Sequence, residues 1–102
     1  MKNLLIAFTL ISFTVPTMAI ADGRTDYKAF CAGCHGANAN VSTKKAKALK
    51  MDVRKLALRT SKMNKSEMID TIQKGKDKMP SFNKQLSKER ISAIADYVIS
   101  LR

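Results

Sequence analysis

Two cysteines and a histidine stand within five consecutive residues, Cys31-Ala32-Gly33-Cys34-His35, and they are the only cysteines and the only histidine in the 102-residue chain. The C-x-x-C-H spacing is that of covalent haem c attachment. Two thiols so placed can add across the two vinyl groups of one porphyrin as thioethers. The next residue then lies beneath the iron, where His35 supplies a ring nitrogen as proximal ligand. Other chemistries use similar residues. A structural zinc site takes four Cys or His ligands, and this chain is one short. A thioredoxin-like C-x-x-C needs a βαβ setting, and the sequence shows no period-two alternation of β-branched residues. A plain Cys31–Cys34 disulfide stays open, although so small a loop adds little chain-entropy stabilisation.

An iron held by His35 needs a sixth ligand or leaves an open position. With a single histidine, a bis-His haem cannot form within one chain. Beyond the N-terminal apolar segment the methionines are Met51, Met63, Met68 and Met79. Met68 fits the apolar stripe of a helix and reads as core. Met51 and Met63 sit in basic, surface-like stretches. Met79 follows a helix stop, lies on a loop and precedes Pro80, which biases it toward extended geometry. It is the expected sixth ligand.

The elements that must position these residues read as four helical segments and no strand, an all-α fold. The first runs from about Arg24 to Ala32, with Tyr27, Phe30 and Cys31 sharing a face. Residues 36–43 form a Gly/Asn/Ser loop. Residues 44–61 suggest broken helical turns with a basic exterior. A third helix starts at the N-cap Asn64, with Glu67 in capping-box position, buries Met68, Ile69 and Ile72, and stops at Gly75. The fourth starts at Ser87 and keeps Ile91, Ile94, Ala95, Val98 and Leu101 on one face.

The first 21 residues read as a signal peptide. Lys2 is its positive end, residues 4–15 are its apolar region, Pro16 breaks it, and Ala19-Ile20-Ala21 is an A-x-A cleavage step. The apolar run is too short to span a bilayer. Residues 22–102 are then one domain, exported to the periplasm or an equivalent compartment. A domain this small usually needs a staple, and a bound haem would be a large apolar core element. The chain carries 19 Lys and Arg against 8 Asp and Glu, a formal charge of +11. A surplus of this size points to an anionic partner, and export makes nucleic acid the least suited one.

Taken together these residues resemble a class I c-type cytochrome of the small bacterial and photosynthetic kind. Cys31 to His35 near the start and Met79-Pro80 before the last helix match the two iron-ligand signatures of that family. Its first helix carries a glycine and an aromatic that cross an apolar residue and an aromatic on the last. Gly23 and Tyr27 fit the first pair, Ile94 and Tyr97 the second. Phe82 matches an aromatic near the haem. Family members often carry a Gly-rich stretch and a proline after the ligating histidine. Here Gly36-Ala37-Asn38-Ala39-Asn40 stands instead, with Asn38 and Asn40 expected in the left-handed turns. Arg54 and Arg59 are candidate propionate partners.

The resemblance implies one covalent haem c, held by Cys31 and Cys34 with His35 and Met79 on the iron. It implies a monomeric electron carrier rather than an enzyme, serving acidic redox proteins or membrane-bound oxidoreductase complexes. Two alternatives stay open: a haem subunit of a larger redox complex, and a haem enzyme or gas sensor with a labile Met79.

Overall fold

The computed structural model describes residues 3–14 and 21–102. Residues 3–14 form neither helix nor strand, and Leu4, Leu5, Phe8, Leu10 and Phe13 are exposed. Lys2, Val15, Pro16 and Ala19-Ile20 of the expected signal peptide lie outside the described residues. Among the described residues there is no strand, and no helix is long and apolar enough to cross a membrane.

Six helices follow one another among the described residues: α1 (Gly23–Phe30), α2 (Ala32–His35), α3 (Lys44–Ala48), α4 (Val53–Leu56), α5 (Lys65–Lys74) and α6 (Lys88–Ser100). The all-α expectation holds, with six helices in place of four. The first expected segment breaks at Cys31, and the basic stretch 44–61 resolves into the short α3 and α4.

The punctuation follows capping chemistry. The Asp22 carboxylate accepts from the amides of Arg24 and Thr25 and starts α1. Asn64 and Glu67 form a complete capping box on α5. Gly75, at φ +75°, ends α5 in the left-handed region. The Ser87 hydroxyl accepts from Arg90 N–H to start α6.

The core forms where α1 crosses α6 and α5 packs on α6. Gly23 makes the first crossing possible. A Cβ there would lie 2.5 Å from the Ala93 carbonyl carbon and 3.1 Å from the Ile94 nitrogen, so only glycine lets the helices approach this closely. One turn on, Tyr27 meets Tyr97 with ring centroids 5.4 Å apart, and Ile91, Ile94 and Val98 are buried around them. At the edge of the crossing the Arg90 guanidinium donates to both Asp26 carboxylate oxygens, at 2.9 and 2.8 Å, and lies over the Phe30 ring. Phe30 in turn meets Phe82 edge-on. The helix pairing therefore brings Gly23 and Tyr27 against Ile94 and Tyr97, as the resemblance implies.

Candidate functional site

A mainly apolar cavity of about 550 Å³ lies below this crossing, a volume within the ~300–1,000 Å³ range of cofactor pockets. Cys31 and His35 enter it from the α1–α2 corner, Leu56 and Leu58 from α4 and beyond, Met68 and Ile72 from α5, Ile94 and Val98 from α6. Met79 enters from a tight turn. Its N–H donates to the Lys76 carbonyl at 2.8 Å, its carbonyl accepts from Lys76 N–H at 3.0 Å, and Asp77 between them takes φ +51°. Phe82 N–H donates to the Ile72 carbonyl at 3.0 Å, tying the turn's far end to α5. Gly75 closes the near end: a Cβ there would fall 2.6 Å from the Met79 carbonyl oxygen. Met79 is thus presented by a loop fixed at both ends.

His35 is buried, and its Nδ1 lies 2.9 Å from the Leu56 carbonyl oxygen. A carbonyl only accepts, so Nδ1 carries the proton and Nε2 keeps its lone pair. Burial holds the His35 pKa below the usual histidine value, with the Leu56 bond opposing that shift. The ring is therefore neutral at neutral pH, which a metal ligand requires. The corner that carries it is anchored twice more. The Thr43 hydroxyl donates to the Cys34 carbonyl at 3.0 Å while accepting from Ala46 N–H, so the cap of α3 also holds the motif. The Tyr27 hydroxyl donates to the Gly36 carbonyl at 2.7 Å.

Cys31 and Cys34 are not bonded to each other. Cys31 is buried in the cavity wall, whereas Cys34 is half-buried and outside the lining. Burial pushes the Cys31 thiol up to about 11, with Asp26 and Cys34 adding to the rise. A thiol held neutral is the opposite of a thioredoxin-like nucleophile. Among the described residues no group of three or more His, Cys, Asp or Glu side chains gathers in one place. Cys31, a neutral imidazole and a thioether in the wall of an apolar cavity, with Cys34 beside the wall, fit a covalent haem.

The structure also redraws parts of the sequence reading. Met51 and Met63, taken as surface residues, are half-buried and line the cavity beside Met68 and Met79. The left-handed positions after His35 are Gly36 and Ala39, at φ +88° and +56°, and not Asn38 or Asn40. Arg54 lines the cavity and pairs with Asp52, while Arg59 is outside the lining and donates to the Leu101 carbonyl. The orienting partner of His35, which no residue type announced, is a backbone carbonyl.

Residues 18–98 match the family described as cytochrome c oxidase, cbb3-type, subunit III. A cytochrome c6 of Synechococcus sp. is 39% identical over 97% of this chain and 92% of its own length. The chain belongs to the small class I c-type cytochromes. A cytochrome c6 of Cyanidioschyzon merolae is 36% identical over 98% of the chain and 94% of its own length. The solved c-type cytochrome KustC0563 shares the fold, with a TM-score of 0.66 at 23% identity over 79% of this chain and 98% of that one. This cytochrome therefore carries one covalently bound haem c, and its work is electron transfer.

Proposed function

We propose that this cytochrome is a diffusible one-electron carrier, exported through a signal peptide over residues 1–21 and working as a monomer outside the cytoplasm. Cys31 and Cys34 supply the thioethers, His35 the proximal nitrogen and Met79 the sixth ligand. The group they hold supplies a ferric/ferrous couple, which Met/His ligation keeps at a comparatively high potential. The chain's own residues do the rest. The Leu56 carbonyl fixes the His35 tautomer. Leu56, Leu58, Ile72, Ile94 and Val98 keep the cavity apolar. The stapled 76–79 turn holds the thioether in place in both oxidation states, which keeps reorganisation small.

The observation that carries this reading is the fixed Met79 loop, because a ligand held at both ends by backbone bonds is poorly suited to leaving an open coordination site. Five exposed cations line the cavity: Lys50, Arg54, Lys55, Lys76 and Lys78. Their charge favours an acidic partner meeting the protein at that mouth. The experiment is a redox titration with spectra of both states, followed by carbon monoxide. A single one-electron wave and a low-spin ferrous spectrum that carbon monoxide leaves unchanged are expected. Carbon monoxide binding to the native ferrous protein would make it a sensor or enzyme. A second reading, a haem subunit of a membrane oxidase, draws on the family's description. Recovery as a stable complex at low salt would favour it over the free carrier.

A further inference from the structure

Tyr27 is 0% exposed, and its ring already packs against Tyr97 and lines the cavity. Phenylalanine would meet those needs. A hydroxyl in so apolar a position is costly unless it is used. It is used on the backbone directly after His35. Its donor goes to the Gly36 carbonyl at 2.7 Å, the same oxygen accepts from Ala39 N–H at 3.1 Å, and the Ala39 amide also lies beside the phenolic oxygen. Burial pushes the phenol up to about 12, so it stays a donor throughout the neutral range.

The turn it grips is strained. Ala39 is 0% exposed at φ +56°, a left-handed conformation that a Cβ disfavours and that persists only when its surroundings enforce it. Nothing in the 36–40 segment is a proline, and its glycine is spent on Gly36.

We propose that the Tyr27 hydroxyl is a positioning group for His35: it pins the strained Gly36–Ala39 turn, and the turn sets where the chain leaves His35 and hence how its ring spans the Leu56 carbonyl and the cavity. The inference rests on His35 as the iron ligand, although its first readout does not. In haem-loaded, nitrogen-labelled protein, solvent exchange of the His35 Nδ1 proton should rise about tenfold in Tyr27→Phe, the factor that one lost hydrogen bond of this kind carries. The reduction potential should move with it. Ala39→Gly in the Tyr27→Phe background removes the left-handed strain and should restore both. Tyr27→Phe with unchanged exchange and potential, whatever its melting temperature, would overturn the proposal, as would a failure of Ala39→Gly to restore them. His35→Ala separates the two readings. If it keeps the low-spin spectrum, the ligand assignment fails. If it loses that spectrum while Tyr27→Phe changes nothing, only the role of the hydroxyl fails.

Discussion

Gly23→Ala adds one methyl group where α1 meets the backbone of α6. That methyl would sit 2.5 Å from the Ala93 carbonyl carbon and closer still to its oxygen, against the 3.4 Å at which ordinary contact begins. Relief needs a separation of more than about 1 Å, and a main chain cannot rotate aside as a side chain can. Overpacking a tight core costs about 1–3 kcal/mol, and a clash with backbone belongs at the upper end. For a domain of this size about 2–3 kcal/mol lowers the melting temperature by roughly 10–20 °C. Gly33→Ala is the control, because a Cβ there meets no protein atom within 4 Å, and it should stay within about 0.5 kcal/mol of wild type. Thermal melts of the haem-loaded proteins by circular dichroism make the comparison. Equal stability of the two variants would refute the close crossing as the reason glycine stands at position 23.

Arg90 holds the Asp26 carboxyl below the usual carboxylate range, against the opposing effect of burial. A lowered folded-state pKa means stability that is present above the unfolded value of ~3.9 and lost as pH falls through the folded one. Asp26→Asn should therefore be less stable than wild type at pH 7, with the two melting curves converging in acid; a constant gap from pH 7 to pH 2 would show that the pair contributes no such linkage. Cys31→Ala with Cys34→Ala should give a largely unfolded or molten chain by circular dichroism, because so small a domain relies on its cofactor for core; a cooperative native-like melt would contradict this. Lys55→Glu with Lys76→Glu, at the cavity mouth, should slow electron transfer to an acidic partner by about tenfold at low salt, an effect that fades as salt rises. Lys28→Glu with Lys62→Glu, outside the cavity lining, should do much less, and equal effects would reduce the mouth to a share of the net charge.

The parts of this site legible in the sequence are those in which side-chain chemistry acts locally. Cys31, Cys34 and His35 announce themselves by spacing, Asn64 with Glu67 and Ser87 by capping, and Met79 by its loop between Gly75 and Pro80. Gly23 and Tyr27 against Ile94 and Tyr97 were reachable through resemblance alone, since nothing within α1 says which helix it crosses. The Leu56 carbonyl was not legible, because any residue offers one and only the path of the chain brings this one to His35. Ala39, and neither asparagine, takes the left-handed turn, because local preference is weak against the packing of the whole turn. Met51 and Met63 each follow a lysine in the sequence, and their burial depends on loops that fold over the cavity and lack helical periodicity.

The central claim is that Met79 and His35 share the iron, and the near-infrared charge-transfer band of ferric protein tests it most directly, because a thioether sulfur on low-spin haem gives rise to it. Four methionines line the same cavity, so the other three are tested beside Met79. Met79→Ala should abolish the band and lower the potential by a sizeable part of the ~0.8 V range that axial ligands command, while Met51→Ala, Met63→Ala and Met68→Ala keep the band. Survival of the band in Met79→Ala together with its loss in any of the other three would contradict the account.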